Sequence, residues 1–450
     1  MEKGDRVELK IEDIDVNGNG ISHYEGKTVF VHGGLPGEEI TAEIIKDKKK
    51  LAVARIISVN NETGTRRVPP CRYYKKCGGC NIMHASYPLQ LDIKHKHVSD
   101  CISRIAKLNC DVFYPIPSPE EFRCRNKASF PLEMSDGILK TGFYRSRSHE
   151  ICSVDDCMMQ NDIVALLMGQ VKAWIVSDGL SIYDEKEHKG LIRHIVVRVT
   201  SLNEIMLTIV INSSKAPDIN GLLKRCEYVI PNLKSIVFSH NTEKGNVILG
   251  TTETVAYGNG YVKEKICGLD FMVSAHSFLQ VNHGGMELLY NTVIKFADIR
   301  KDQVVADLYC GIGTISLLAA LKAKKVYGIE IIEDAVKDAE ANAQINDMQN
   351  AEFICGDVHE VFSYILDKED HIDTIIVDPP RKGLNEGVVE DIALAEPDKI
   401  IYVSCDPATL ARDLYIFDQK GYCINFVQPV DMFPDTMHVE TVVLMSKVKE

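Results

Sequence analysis

The sequence predicts a multidomain protein with a small N-terminal β-barrel, a central α+β module and a C-terminal doubly wound α/β domain. A chain of 450 residues is too long for one ordinary domain. Short strands separated by glycine turns fill residues 1–60, whereas strands and helices alternate from about residue 290 onward. We therefore expect three domains, over residues 1–60, 61–270 and 271–450.

The charge is distributed unevenly along the chain. Residues 1–150 carry 24 Lys+Arg and 20 Asp+Glu, a balance of +4, and the remaining 27 and 44 give residues 151–450 a balance of -17. This asymmetry favours a polyanion-binding module joined to an acidic body, although a mixed, solvated surface fits the same numbers. No signal-peptide pattern and no run long enough to span a bilayer is present, so we expect a cytoplasmic protein without membrane contact.

In residues 1–60, Val7, Leu9 and Ile11 alternate with charged residues, which is the period of a half-buried strand. Further short strands follow between turns such as Gly33-Gly34, and several such strands make a small, OB-like barrel. The basic tract Lys46-Asp-Lys-Lys-Lys50 lies between two strands. It forms either a solvated hairpin tip or a surface that follows a phosphate backbone.

Three cysteines lie close together in the central module, at Cys71, Cys77 and Cys80, and two glycines separate the last two. Glycines let the backbone fold tightly enough for several thiolates to converge on a metal centre. A fourth ligand must come from elsewhere, and the candidates are Cys157 and Cys152. The ligand type permits zinc or an iron–sulfur cluster, and the spacing does not decide between them.

The rest of the central module carries two further patterns. Residues 85–110 have the apolar periodicity of a helix. Residues 121–147 are dense in basic and aromatic side chains, which fits stacking on unpaired RNA bases and also fits a mixed-charge β-surface.

The C-terminal domain opens with a buried strand that runs into a glycine turn, Cys310-Gly311-Ile-Gly313-Thr314, and then a helix. Such a turn lets a ligand approach the backbone at Gly311 and the helix N-terminus. The next strand ends at Glu330, about 20 residues past the turn, where a carboxylate can accept both ribose hydroxyls. Ser316 replaces the third glycine of the dinucleotide fingerprint, so the pattern favours an adenosine-type ligand such as S-adenosylmethionine.

Four more side chains lie at strand ends in this domain. Asp357 is suited to the edge of an adenine, and Asp378 precedes a rigid Pro-Pro turn at the ligand-binding edge of the sheet. Cys405 ends an apolar strand, where a thiol can act as a nucleophile, and Glu440 begins another. A cysteine at a strand end is more often buried filler, and Glu440 fits a solvated strand start. Their occurrence beside the cofactor pattern favours catalysis.

Five motifs carry a family resemblance. They are Ser277-Phe-Leu-Gln280-Val-Asn282, Asp307-Leu-Tyr-Cys-Gly-Ile-Gly313, Asp378-Pro-Pro-Arg-Lys-Gly383, Ser404-Cys-Asp-Pro-Ala-Thr-Leu-Ala-Arg-Asp413 and His438-Val-Glu440. The chain resembles the S-adenosylmethionine-dependent RNA 5-methyluridine (uracil-C5) methyltransferases over nearly its whole length. Its barrel is similar to the TRAM domain, an RNA-binding module. The barrel together with the cysteine cluster is similar to the 23S ribosomal RNA branch, because the tRNA branch lacks both.

The resemblance implies a class I methyltransferase fold for the C-terminal domain, with the helix near residues 85–110 packed on it. It implies a [4Fe–4S] cluster held by Cys71, Cys77, Cys80 and Cys157. It also implies that the following residues bind the cofactor, together with Gly311 of the turn: Gln280, Tyr309, Thr314, Glu330, Asp357 and Asp378.

The implied reaction is methylation of C5 of a specific uridine, with 23S ribosomal RNA as the expected substrate and no obligate protein partner. Cys405 would add to C6 of the unstacked base, and Glu440 would remove the C5 proton. The alternatives are a tRNA 5-methyluridine methyltransferase, an RNA 5-methylcytosine methyltransferase, an iron–sulfur redox protein and a non-catalytic RNA-binding protein. The cytosine enzymes have a second cysteine beside the acid, and Asp378 has Pro-Pro instead.

Overall fold

The computed structural model describes residues 1–61 and 63–448. The N-terminal part is a six-stranded sheet in the order β1-β5-β6-β4-β3-β2, curled around its own core. Every second residue of a strand points to the same face of the sheet, and Val7 and Val29 lie on the faces that point into the core. Its strands are β1 (Arg6–Lys10), β2 (Asp13–Ile14), β3 (Asn19–Tyr24), β4 (Lys27–His32), β5 (Glu39–Asp47) and β6 (Leu51–Asn61).

Gly20 shows how tightly the barrel closes. A Cβ atom at this position would lie 2.9 Å from the carbonyl oxygen of Gly34, so only glycine allows the two backbones to approach. The cysteine-containing segment follows the barrel, and helix α1 (Tyr87–Arg104) comes next.

The central sheet has seven strands in the order β13-β12-β11-β10-β7-β8-β9. Trp174 and Phe238 fill the core between this sheet and its two helices. The elements are β7 (Lys127–Ser135), β8 (Ile138–Tyr144), β9 (Ile151–Ser153), α2 (Asp162–Ser177), β10 (Ile192–Val199), β11 (Ile205–Ile211), α3 (Asn220–Cys226), β12 (Leu233–His240) and β13 (Thr252–Gly258).

A hairpin and a helix lead into the C-terminal domain. They are β14 (Tyr261–Ile266), β15 (Leu269–Ser274) and α4 (His283–Ala297). Phe271 of the hairpin and Leu289 of the helix share one apolar core with the C-terminal sheet. The elements that follow are β16 (Val304–Leu308), α5 (Thr314–Ala320), β17 (Lys325–Glu330), α6 (Glu333–Ile345), β18 (Ala351–Cys355), α7 (Val358–Lys368), β19 (Thr374–Val377), α8 (Glu386–Ala395), β20 (Lys399–Ser404), α9 (Pro407–Gln419), β21 (Tyr422–Val430) and β22 (Glu440–Lys447).

The C-terminal sheet runs in the order β18-β17-β16-β19-β20-β22-β21. Strands β16 to β20 are parallel, and β22 pairs antiparallel with β20 and with β21. The strand order reverses between β16 and β19, which opens a crevice at the carboxyl ends of these strands, where such folds bind ligands.

Helix α1 packs on the C-terminal domain, although the central sheet lies between them in the chain. Val98 and Ile102 of α1 share a core with Leu410 and Leu414 of α9. In the described parts of the chain, no helix is both long enough and apolar enough to cross a membrane.

Candidate active site

The turn after β16 lies at the mouth of the crevice. Three of its residues have positive φ: Tyr309 at 68°, Gly311 at 55° and Gly313 at 81°. A Cβ at Gly313 would lie 2.9 Å from the ring of Phe353, so glycine is needed there for close packing, whereas the space beside Gly311 is open. The turn thus leaves room for a ligand against its backbone, directly before Thr314 begins α5.

Glu330 lies at the end of β17 and fixes this turn. Its Oε2 accepts a hydrogen bond from the Gly311 N–H at 3.1 Å, and its Oε1 accepts one from the Ile332 N–H at 2.9 Å. Carboxylates accept at more than one position on each oxygen, so these two bonds leave capacity for ligand hydroxyls. The turn and Glu330 fit an adenosine-type cofactor.

The other predicted cofactor residues lie on loops around the same edge. Gln280 is buried before α4, and its carbonyl oxygen accepts from Asn126 Nδ2 of the central module at 3.0 Å. Asp357 caps α7 by accepting from the His359 N–H at 2.9 Å. Burial and the nearby Asp357 carboxylate raise the pKa of Tyr309 to about 12, so these two side chains are neighbours.

Asp378 comes directly after β19, and its N–H donates to the Leu308 carbonyl of β16 at 3.4 Å. Burial, and after it the Asp307 carboxylate, raises the pKa of Asp378 to about 7. Asp307 itself accepts from Ser316 Oγ at 2.5 Å through Oδ2, while its buried Oδ1 has no partner. The crevice therefore contains more carboxylate than its own cations neutralise.

Cys405 and Glu440 lie at the ends of two paired strands. These strands are antiparallel, and their last residue pair is Ser404 with Thr441. The next position in the same register places Cys405 opposite Glu440. Glu440 is 2% exposed, and its Oε2 has no hydrogen-bond partner. Cys405 is only partly buried and begins the turn into α9. A thiol and a buried, unpaired carboxylate thus lie opposite each other at one end of these two strands.

Burial and neighbouring carboxylates raise the pKa values of both groups. Burial, followed by the Glu440 carboxylate, raises the pKa of Cys405 to about 11. Burial, followed by the Asp378 carboxylate, raises the pKa of Glu440 to about 8. Perturbed pKa values of this size concentrate at functional sites.

Arg381 is a residue whose role the sequence analysis missed. Its guanidinium lowers the pKa of both Cys405 and Glu440, which places its positive charge near the thiol and the carboxylate. Its only signal in the sequence is its position in Asp378-Pro-Pro-Arg381, where an exposed arginine has many possible uses.

The cysteine segment forms a second candidate site. Cys71, Cys77, Cys80 and Cys157 line one cavity of about 90 Å³, and Cys152 is not among its lining residues because it lies in β9. Sulfur atoms bound to a single zinc ion at about 2.3 Å lie at most about 4.6 Å apart. Among the described residues, no three of the four sulfur atoms lie within 4.8 Å of one another. Four thiolates of this kind can bind either zinc or an iron–sulfur cluster.

The backbone at Gly78 packs too closely on a neighbouring strand for any other residue type. Its N–H donates to the Tyr144 carbonyl at 3.0 Å, and a Cβ would lie 2.9 Å from the same oxygen. The Gly79 N–H donates to the Cys77 sulfur at 3.4 Å, a contact that stabilises negative charge on a thiolate.

Comparison with known proteins defines the class. Residues 250–448 match the tRNA (Uracil-5-)-methyltransferase family and residues 1–57 match the TRAM domain. The chain is 39% identical over 447 residues to an uncharacterized RNA methyltransferase of Clostridium tetani, covering 99% of this chain and 97% of the relative. It is 39% identical over 447 residues to one of Halalkalibacterium halodurans, covering 99% and 98%.

Among solved structures, the chain is similar to the Pyrococcus abyssi tRNA (uracil-54, C5)-methyltransferase in complex with S-adenosyl-L-homocysteine. The TM-score is 0.77 at 27% identity, covering 98% of this chain and 100% of that one. Fold and sequence together define an RNA methyltransferase with an N-terminal TRAM domain and a class I methyltransferase domain, as the sequence predicted. The chain belongs to the S-adenosylmethionine-dependent RNA uracil-5-methyltransferase family.

Proposed function

We propose that the protein transfers a methyl group from S-adenosylmethionine to C5 of a specific uridine in 23S ribosomal RNA. The register of β20 and β22, which brings Cys405 beside Glu440, is the observation that carries the proposal. The glycine turn after β16 lies at the same edge of the sheet as Cys405 and Glu440. The nucleophile, the base and the cofactor crevice would therefore be next to one another.

Cys405 begins the reaction, since C5 of uracil is too weak a nucleophile to take a methyl group unaided. Its thiolate bonds to C6 and the electron pair of the C5–C6 double bond moves to C5 and O4, so that C5 becomes nucleophilic. S-adenosylmethionine, when bound, supplies an electrophilic methyl group on sulfur. The turn residues and Glu330 would hold that cofactor in the crevice.

Glu440 completes the reaction. Its carboxylate takes the proton from C5, the C5–C6 double bond reforms, and the C6–Sγ bond breaks to release the Cys405 thiolate. Arg381 stabilises both anionic side chains in turn. The burial of Glu440 keeps water from competing for the proton.

The cofactor contacts are assigned to residues of the crevice. We assign the ribose hydroxyls to Glu330 and the backbone approach to Gly311. The remaining contacts are assigned to Gln280, Tyr309, Thr314, Asp357 and Asp378.

Cys71, Cys77, Cys80 and Cys157 would hold a [4Fe–4S] cluster, with Cys157 as the fourth ligand. Their shared cavity supports this proposal. The cluster has no step in methyl transfer, because its proposed ligands lie outside the catalytic sheet.

We assign three functional units, over residues 1–60, 61–270 and 271–450. The barrel of residues 1–60 binds RNA, and its exposed basic tract at residues 46–50 supports this role. The cysteine cluster and the central sheet form the second unit. The third is the methyltransferase domain, on which α1 packs, and its core also takes in the hairpin of β14 and β15.

The second candidate substrate is a tRNA uridine. The full-length similarity to the Pyrococcus abyssi enzyme favours it, since that protein is described as a tRNA (uracil-54, C5)-methyltransferase. The barrel does not separate the two substrates, because the similarity to the tRNA enzyme covers 98% of this chain. The resemblance of the cysteine cluster to the ribosomal RNA branch supports ribosomal RNA.

Tritium release from RNA labelled at uracil C5 tests the function directly. Naked 23S ribosomal RNA and bulk tRNA are incubated separately with the protein and S-adenosylmethionine. Release from ribosomal RNA alone is expected. Release from tRNA alone would show that the substrate is a tRNA uridine. Methylation of cytosine C5 with no release from uracil would show that the protein is not a uracil methyltransferase.

Two variants test the assigned roles. With Glu440→Gln, the methylated base cannot lose its C5 proton, so a denaturation-resistant enzyme–RNA adduct should accumulate. With Cys405→Ala, neither adduct nor tritium release should appear. An adduct formed by Cys405→Ala would show that another group is the nucleophile.

A further inference from the structure

The loop that precedes Glu440 is unusually well packed. Residues 431–439 join β21 to β22 without regular secondary structure, yet all of them are buried except Phe433 and His438. Lys94 of α1 holds the beginning of this loop, donating to Asp431 Oδ1 at 2.5 Å and to the Phe433 carbonyl at 2.9 Å.

Asp435 is the centre of the loop. It is fully buried in the left-handed region at φ 64°, and its carbonyl oxygen accepts from both the Asn81 and Ile82 N–H groups at 3.1 Å. Its Oδ1 accepts from Arg67 Nη2 at 2.7 Å and from Gln90 Nε2 at 2.9 Å. Four hydrogen bonds from the cysteine segment and α1 thus fix one residue of the loop.

Asn81 continues the contact towards the base. Its Oδ1 accepts from the Met437 N–H at 3.0 Å, three residues before Glu440, and its Nδ2 donates to the Asn17 carbonyl of the barrel at 3.3 Å. Asn81 directly follows Cys80 in the chain. One side chain therefore joins the barrel, the cysteine segment and the loop that precedes the base.

An apolar cluster supports the same junction. Ile82, Ile93 and Met437 pack together with their side chains buried, and Ile14 of the barrel covers them. The hydrogen bonds between Gln90 and Asp435 are buried beside this cluster, and their shielding from water strengthens them. The hydrogen bond of Asn81 to Asn17 is exposed.

We propose that Asn81 and Asp435 are positioning residues for Glu440, so that the cysteine segment sets the rate of proton removal from C5. The proposal rests on the proposed function. Since the buried Oε2 of Glu440 has no partner, its carboxylate depends on its backbone for position. Asn81 and Asp435 fix that backbone on one side and the strand pairing fixes it on the other.

If the proposal is right, a change at Asn81 slows the release of Cys405 from the methylated base and does not slow formation of the adduct. Among the described residues, no hydrogen bond joins Asn81 to Cys405 or to the glycine turn, so addition to C6 and methyl transfer should continue when Asn81 is altered. Misplacement of a catalytic group by about 1 Å can cost about 100-fold in rate. A shift of Glu440 therefore traps the methylated base on Cys405.

The test compares Asn81→Ala with Asn346→Ala in the full-length protein. Asn346 has the same bonding pattern in a remote place, because it accepts from the Asp270 N–H at 3.0 Å and donates to the Asp270 carbonyl at 2.7 Å. Each variant is assayed for denaturation-resistant adduct, for the kcat and KM of both substrates, and for iron and sulfide per chain. RNA carrying 5-deuterated uridine reports whether proton removal limits the rate.

Asn81→Ala should accumulate adduct, lose about 10- to 100-fold in kcat with kcat/KM unchanged, and acquire a primary isotope effect on kcat. Asn346→Ala should do none of these, and Asn81→Asp, which keeps the acceptor for Met437, should restore turnover. Full turnover by Asn81→Ala, or loss of kcat without adduct, would overturn the proposal, as would equal adduct in Asn346→Ala. If Asn81→Ala fails to fold, Arg67→Gln is judged by the same readouts. Glu440→Gln is the reference: without adduct there, the proposed function itself fails.

Discussion

Cys405 and Glu440 stand opposite each other, one residue beyond the last paired residues of β20 and β22. Cys405 is partly buried and Glu440 is fully buried, and the ionisation of one opposes that of the other, since the Glu440 carboxylate raises the pKa of the thiol. The reaction uses them in sequence. The thiolate is consumed in the C6–Sγ bond before the carboxylate takes the C5 proton, so the two negative charges are not needed together.

The pH dependence of methylation follows from these pKa values. Glu440, with a pKa raised to about 8, is neutral below that pH and a base above it, and Cys405, at about 11, becomes a thiolate as pH rises. The value of kcat/KM should therefore increase between about pH 6 and about pH 9. Rates that fall over this interval would contradict the assignment of both groups.

Arg381→Gln should weaken catalysis and move the pH profile. Its cation lowers the pKa of both Cys405 and Glu440, so its removal raises both values and shifts the rise in kcat/KM to higher pH. Lys382→Gln is the matched control, since Lys382 is the next exposed cation and changes neither pKa. An identical shift in both variants would show a general charge effect.

Glu330→Ala should weaken binding of S-adenosylmethionine. The change removes the proposed ribose acceptor and also the bond to the Gly311 N–H. Hydrogen bonds to charged groups contribute about 1.5–3 kcal/mol, so the Kd should rise about 10- to 100-fold. Calorimetry measures it, and Glu333→Ala, at the exposed start of α6, serves as the control. Equal affinities for S-adenosylmethionine in the two variants would show that Glu330 does not bind the cofactor.

Cys157→Ser and Cys152→Ser should differ in metal content. Cys157 lines the cavity with Cys71, Cys77 and Cys80, whereas Cys152 lies in β9 and does not line it. Iron and sulfide per chain should fall in Cys157→Ser and stay at the wild-type value in Cys152→Ser. The reverse result would exchange the two assignments, and zinc in the wild-type protein would replace the cluster.

Lys94→Met should destabilise the protein strongly. Lys94 and Asp431 are both 0% exposed, and removing one partner of a buried ion pair costs about 3–5 kcal/mol. Lys96 lies on the same helix with its side chain 49% exposed, so Lys96→Met should cost at most about 1 kcal/mol. Chemical denaturation measures the free energy of unfolding of both variants. Similar losses would show that the buried ion pair stabilises the protein no more than the exposed one.

The elements of the C-terminal domain could be read from the sequence because their signals are local. The apolar run that ends at Glu330 and the one that starts at Glu440 are strands with those ends in the structure. Cys405 lies, as expected, immediately after a strand. The roles of these residues in catalysis and cofactor binding remain predictions.

The contacts around the 431–439 loop could not be read in this way. Lys94 and Asp435 are ordinary charged residues in the sequence, and their partners lie hundreds of positions away. No periodicity or spacing identifies a pair whose members lie far apart in the sequence and approach only in the folded protein. The same holds for Arg381, whose importance comes from two pKa values that depend on tertiary packing.

The packing of α1 against α9 also orders events during synthesis on the ribosome. Lys94 and Asp431 are 337 residues apart, so at 5–20 residues per second roughly 20–70 s pass before the helix meets its partner. All four proposed cluster ligands emerge within the first 157 residues. Metal loading can therefore precede completion of the catalytic domain, and the nascent chain exposes the apolar face of α1 until its final strands are made.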